Sequence, residues 1–364
     1  MEIGGEKLVA QFNNLADQAD GSCMVSYGGT TVLATAVMSE KEKEGSDFFP
    51  LTVDYEERFY AIGKILGSQF VHREGKPSEE AILAGRIVDR TIRPLFAQYI
   101  RNEVQVVLTV LALDKQDPDT VAVIAASLAL ATSNIPWNGP VSAVRIFGSK
   151  ENAAQIVNPS YEIRRKPGIN FDLLACGKDD NINMIEVGGY ETSEKNMVDA
   201  LERASQEIEN IQSFQKKIIA EIGKEKRIVT EPKLADEVVK LYTDQIEKEL
   251  DSAVFSKGKE NVHALEKKWK KLVEEKFPET DMNLAVSFFD EKINDLIHQE
   301  AIDKKRRPDG RGVDEVRPIF AAAGSISPVL HGTGVFFRGE THVLGVLTLG
   351  GPKDALTVDG IESQ

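Results

Sequence analysis

Apolar positions along this chain change rhythm twice, from strand-like alternation to helical spacing and back. Residues 23–37 form two β-prone runs around a Gly28-Gly29 turn signal, and Val104 to Leu113 is a further strand-like run. Val121 to Ala131 is apolar almost throughout and rich in Ala and Leu, which predicts a buried helix stopped at Asn134-Ile135-Pro136. Asp172–Gly177 and Ile182–Val187 predict a strand pair around Asp179-Asp180-Asn181. Beyond them Met197, Leu201, Ala204, Ile208, Ile211, Ile218 and Ile222 recur three, four and seven residues apart, the core-packing stripe of a long helix. Ser78 ahead of Glu79 and Glu80 has the form of an N-cap with acids in the first turn, so 81–92 is predicted to be helical.

From about Lys233 to Ala301 the spacing is helical and highly charged, which predicts a separate helical domain. Lys304 to Gly312 reads as a basic, turn-forming linker, after which alternation returns. An internal repeat links the two ends. Gly29–Leu33 has a counterpart in Gly339–Val343, and Leu51-Thr52-Val53-Asp54 recurs as Leu356-Thr357-Val358-Asp359. The offsets are 310 and 305, as a connecting loop five residues shorter would give. On that alignment the second copy stops at the equivalent of about residue 59, whereas the first continues to about residue 225. Strands 335–349 are then expected to lack sheet neighbours and helical cover.

Composition narrows the class. With 41% hydrophobic and 28% charged residues over 364 positions, the chain is that of a soluble globular protein with room for two or three domains. Cys23 and Cys176 are too few and too far apart for a disulfide framework or a zinc site, which suits a reducing cytosol. The first residues lack a secretory pattern and no apolar run reaches membrane-spanning length, so a cytoplasmic protein without a membrane partner is expected. The net charge of −14 disfavours nucleic acid as an average. Charge is segregated, however: Arg58 to Arg101 holds eight basic residues against four acids, or +4, and Glu231 to Glu300 holds 11 Lys against 17 acids, or −6. That pattern fits a local anionic ligand beside a solvated acidic module. There is no P-loop, dinucleotide fingerprint or His-Glu-x-x-His motif.

Asp47–Tyr55, Gly75-Lys76-Pro77-Ser78-Glu79, Asp89–Phe96, Arg307-Pro308-Asp309-Gly310-Arg311 and Phe337-Arg338-Gly339-Glu340-Thr341 together resemble the polynucleotide phosphorylase family in order and spacing, from about residue 3 to 364. The resemblance implies an α+β chain: a ribonuclease PH-like domain of mixed sheets with packed helices over 1–228, an all-α linker domain over 229–302, and the start of a second ribonuclease PH-like domain over 303–364. It implies 3′-to-5′ phosphorolysis of single-stranded RNA with inorganic phosphate, Mg²⁺, and a ring-shaped homotrimer carrying further RNA-binding domains. The family's catalytic set is an Asp, a second Asp six residues later and a Lys two beyond that. Here the first-domain strand offers Lys166, Asp172 and Leu174, so no metal pair is expected and Asp172 is read as structural. The catalytic residues and the Mg²⁺ site are expected beyond Gln364. The 364-residue chain alone is expected to be inactive, and the alternative is a non-catalytic RNA-binding and assembly module.

Residues 67–75 match the family's channel loop of two Phe and two Arg. Phe70 and Arg73 keep the stacking and cationic chemistry that single-stranded RNA needs, whereas Val71 and His72 depart from it and make one cation titratable near neutral pH. Phe70 packing inward is the alternative. Arg86, Arg90 and Arg93 share one helix face and are candidates for RNA phosphate, Arg90 and Arg93 ahead of Arg86 because they flank the family-like segment. Asp89 lies three residues from Arg86 and four from Arg93, so internal pairing is equally open.

Overall fold

The computed structural model describes residues 1–43, 46, 48–65, 75–149, 155–256, 258–324, 326–355 and 360–361. The chain folds as two compact units. Met1–Glu231 form the first, with Ile361 in its core, and the second begins at Pro232.

The first unit has two sheets. Strands β1 (Glu2–Ile3), β2 (Glu6–Gln11), β3 (Gly21–Tyr27), β4 (Thr30–Glu42), β5 (Leu51–Glu57) and β6 (Asn102–Ala112) form one, in the order β1-β2-β3-β4-β6-β5. Strands β7 (Ser142–Ser149), β8 (Ile156–Val157), β9 (Ile169–Lys178) and β10 (Asn181–Gly189) form the other, in the order β10-β9-β7-β8. Helix α1 (Glu79–Ile92) lies along β5, while α2 (Pro118–Thr132) packs on β3 and β4 and also on β7, between the sheets. A helix so placed has no solvent face, which is why its sequence shows a continuous apolar run instead of a stripe. Every α2 residue but Asp119 is buried. Asp117 caps its start, accepting from the Asp119 amide at 2.9 Å, and Pro118 fits the first turn. At its end Lys226 Nζ donates to the carbonyls of Leu130, Ala131 and Ser133 at 2.7–3.0 Å. Close approach to β3 depends on Gly21, where a Cβ would fall 2.1 Å from the Ala129 carbonyl oxygen.

Beyond the short α3 (Tyr161–Arg164), helix α4 (Glu194–Ile222) covers β7 and β9 with the stripe read from its sequence. It also buries two amides. Gln215 Nε2 donates to the Val141 carbonyl at 2.7 Å, and Gln212 Nε2 to that of Pro140 at 2.6 Å. The β9–β10 hairpin turns through Asp179 and Asp180 at φ +47° and +62°, a two-residue turn that tolerates Asp in the left-handed region.

In the second unit, α5 (Asp236–Gln245), α6 (Glu247–Val254), α7 (Glu260–Lys276) and α8 (Met282–Lys304) enclose Tyr242, Trp269 and Phe289. Strands β11 (Ile319–Ala323), β12 (Gly332–Arg338) and β13 (Thr341–Leu347) make a three-stranded meander. Its apolar side chains are exposed, including Phe320, Phe336, Leu344 and Leu347.

The meander corrects the repeat alignment. Tyr27 pairs with Thr30 and Arg338 with Thr341, so the turn residues are Gly28-Gly29 and Gly339-Glu340, and the offset is 311 rather than 310. The glycine that matters is the first of each pair, at φ +55° in Gly28 and +60° in Gly339. The second turn position is not left-handed, as in a type II′ turn, and accepts either Gly29 or Glu340. The other repeat partner, Leu356–Asp359, lies outside the described residues.

Candidate nucleic-acid interface

Helix α1 begins at Ser78, whose Oγ accepts from the Ala81 amide at 2.9 Å and donates to Glu57 Oε2 at 2.8 Å. Burial pushes the Glu57 carboxyl above the usual carboxylate range against the Ser78 hydrogen bond, and Glu80 adds to the rise. Ala81, Ala84, Ile87, Val88 and Ile92 form the buried face. Gly85 sits where α1 comes nearest to β5: a Cβ there would lie 3.4 Å from Tyr55 Cβ and 3.7 Å from the Val53 carbonyl oxygen. β5 is the edge strand of its sheet, hydrogen-bonded in parallel to β6 alone, and α1 covers the open side.

The three arginines of this face have different surroundings. Arg93, just past the last turn, commits four of its five donors: Nε donates to Asp89 at 3.0 Å, Nη2 to Asp89 at 2.5 Å and to the Leu51 carbonyl at 3.1 Å, and Nη1 to the Phe49 carbonyl at 3.4 Å. Arg86 and Arg90 are exposed, with no ion pair or hydrogen bond among the described residues. Arg86 borders a cleft of about 250 Å³ between β5 and α1, whose other walls include Tyr55, Pro77, Ile82 and Arg93. Asp89, which could have paired with either Arg86 or Arg93, spends both oxygens on Arg93. Phe70, His72 and Arg73 lie outside the described residues.

Asp172 lies on β9 in a second charged cluster. It accepts from Arg145 Nη1 at 3.0 Å and from Arg164 Nε at 2.9 Å. Arg145 also meets Asp117 through a close Nε ion pair that lacks hydrogen-bond alignment, and Arg164 Nη1 reaches Asp117 at 3.2 Å. Burial alone would lower the Arg145 pKa, but Asp117, Asp172 and Asp119 more than offset it and hold the guanidinium charged. The Asp172 and Asp117 carboxylates are thus already matched by fixed cations. Among the described residues no three His, Cys, Asp or Glu side chains gather as metal ligands, so Mg²⁺ does not fit this cluster. Burial also pushes the thiols of Cys23 and Cys176 up to about 12, which leaves them unreactive.

The sequence places Arg86, Arg90 and Arg93 on one face and ranks Arg90 and Arg93 ahead of Arg86, whereas the fold engages Arg93 internally, through carbonyls of residues more than 40 positions away. The Glu57–Ser78 link was missed for the same reason. Its local signal, a Ser followed by two acids, speaks only of a cap.

Two sheets around a buried helix, with a charge-bearing helix over one sheet edge, agree with the class that sequence comparison assigns. Residues 5–136 match the 3′ exoribonuclease family, domain 1. Rice Rrp46 superposes with a TM-score of 0.48 at 15% identity, over 58% of this chain and 94% of that one. More particularly, the chain is 41% identical over 99% of its length to polyribonucleotide nucleotidyltransferase 1 of Alkaliphilus metalliredigens, covering 51% of that protein. It is 39% identical over 99% of its length to the polyribonucleotide nucleotidyltransferase of Heliobacterium modesticaldum, again covering 51%. The chain is thus similar along its whole length to polyribonucleotide nucleotidyltransferases and spans about half the length of the curated relatives it matches.

Proposed function

We propose that the intact protein shortens single-stranded RNA from its 3′ end by phosphorolysis, consuming inorganic phosphate and releasing nucleoside diphosphates, in mRNA turnover in the cytoplasm. The observation that carries this reading is the 41% identity over 99% of the chain to a protein named for that transfer. In this reading 1–228 is the first ribonuclease PH-like domain, 229–302 the helical linker domain and 303–364 the opening of a second, and three copies assemble as a homotrimer. This chain supplies RNA contacts. Arg86 and Arg90 meet phosphates as exposed cations without partners among the described residues, Phe70 stacks on a base, and Arg73 and His72 add charge, His72 only when protonated. The transfer itself needs groups that hold phosphate in line and neutralise developing charge. Mg²⁺ would supply part of that neutralisation, held by the carboxylates expected beyond Gln364.

A second reading, that the 364 residues alone are a non-catalytic RNA-binding and assembly module, is favoured by one observation: Asp172, on the first-domain strand that corresponds to the family's catalytic strand, is bound by two guanidinium groups. One experiment separates them. The chain ending at Gln364 is expected to release no nucleoside diphosphate from poly(A) with phosphate and Mg²⁺, while the protein extended through an Asp-x₅-Asp-x-Lys segment does so. Phosphate-dependent release by the shorter chain would overturn the assignment of catalysis to the Asp-x₅-Asp-x-Lys segment. No release by the extended protein would remove the phosphorolytic reading altogether.

A further inference from the structure

We propose that Glu57 and Arg93 are positioning residues that clamp α1 to β5 at both ends, so that Arg86 and Arg90 meet the RNA backbone from a fixed helix; this rests on the RNA-contact reading above. The geometry is reciprocal. At the C-terminal end of β5, Glu57 accepts from Ser78, the residue that caps the start of α1. At the N-terminal end of β5, Arg93 donates to the carbonyls of Leu51 and Phe49, and Asp89 on the last turn of α1 holds the same guanidinium in place. Between these two fastenings Gly85 brings the helix against Val53 and Tyr55. α1 therefore runs antiparallel to an edge strand and is held to it by hydrogen bonds at either end.

The consequence follows from the arginine inventory. A planar guanidinium presents five N–H donors in a rigid fork. Arg93 commits four of those five donors to one carboxylate and two carbonyls, which leaves no paired fork for phosphate. Arg86 lies two helical turns inside the clamp and Arg90 one turn inside, both exposed and without described partners. Each long side chain loses rotamer freedom when it meets a phosphate, and a helix free to rock on the strand edge would add its own ordering cost. The clamp removes that second cost before RNA arrives.

Titration of the intact protein with fluorescent oligo(A) over a range of salt tests this, with circular dichroism to confirm folding. Arg86→Ala and Arg90→Ala are each expected to lower the salt slope by about 0.7, one phosphate contact on a single strand. Arg93→Met is expected to raise Kd about three- to tenfold, the ordering cost of roughly one further immobilised group. Arg93→Lys should be no better, because an ammonium cannot reproduce the fork. In an Arg86→Ala, Arg90→Ala background Arg93→Met should cost nothing further. Full rescue by Arg93→Lys would identify a direct phosphate contact and overturn the proposal. Unchanged Kd in both Arg93 variants, with Arg86→Ala still weakening binding, would make the clamp structural only and also overturn it. If Arg93→Met does not fold, the other end carries the same test: Glu57→Ala should raise Kd, and Glu57→Gln, which still accepts from Ser78, should not. Should Arg86→Ala and Arg90→Ala leave binding unchanged, the RNA reading of this face fails, an outcome distinct from failure of the clamp.

Discussion

Two meanders of this protein pair through one register, 311 positions apart. In β2–β3–β4, Leu8 faces Tyr27 and Tyr27 faces Thr30; in β11–β12–β13, Ile319 faces Arg338 and Arg338 faces Thr341. Their surroundings are opposite. Val32 on β4 is fully buried, and its counterpart on β13, Val343, is 53% exposed. Helix α2 lies across β3 and β4, whereas among the described residues no helix covers β12 and β13 in that way. Turn chemistry and strand pairing are therefore satisfied locally, by a glycine at φ near +60° and by cross-strand partners such as the Phe320–Phe337 rings at 5.5 Å. Burial is contributed by another element, and only one meander has it.

Hydrogen exchange should show the largest difference. Amides shielded by a packed helix open only with the whole unit, while a sheet exposed on its apolar faces opens by local fluctuation. Backbone amides of β12 and β13 are expected to exchange at least about a hundredfold faster than those of β3 and β4, a gap of roughly 3 kcal/mol in opening free energy. Equal protection of β12 and β13 and of β3 and β4 would mean that the second meander is covered, and the contrast would collapse.

Paired substitutions sharpen the contrast energetically. Val32→Ala empties space in a core with no exposed side to relax into, and should cost on the order of 2 kcal/mol. Val343→Ala, at the equivalent repeat position, should stay within about 0.5 kcal/mol. Chemical denaturation followed by tryptophan fluorescence reads the first change through Trp137 in the core of the first unit. Similar losses at both positions would show that β13 is as buried as β4.

The same division explains what was legible in the sequence. Alternation, helical stripes and turn residues are local, so the hairpin at Gly28-Gly29, the buried α2, the α4 stripe and the Asp179-Asp180 turn could all be read from the residues. The repeat was legible, but its alignment was one residue out, because the sequence offers two glycines at 28–29 and only backbone φ shows which one the turn requires. At the candidate interface the helix face was legible and the roles of its arginines were not. The family-like segment favoured Arg90 and Arg93 over Arg86, and only the carbonyls of Phe49 and Leu51, brought in by the fold, set Arg93 apart as internally engaged. The Arg145–Asp117–Asp172–Arg164 cluster was hidden in the same way, since its members come from three separate stretches of chain.

The smallest expected effect is a pH dependence on the covered side of the comparison. Burial first, and Glu80 in addition, raise the Glu57 pKa above its ordinary 4.5, although the Ser78 hydroxyl pulls the other way. A carboxyl whose folded pKa exceeds its unfolded value binds its proton more tightly in the native state. Its contribution to stability is therefore fully present below 4.5 and is lost as pH rises through the folded pKa. Glu57→Gln is neutral at every pH and keeps an oxygen for Ser78, so it should match the wild type in acid and exceed it slightly at neutral pH. Thermal melts of both proteins between about pH 4 and 8 should show a Tm difference that grows from near zero across the window above 4.5. A Tm difference for Glu57→Gln that stays flat with pH, or turns negative at neutrality, would show that the ionised carboxylate is favoured by its partners and that burial does not control this end of the clamp.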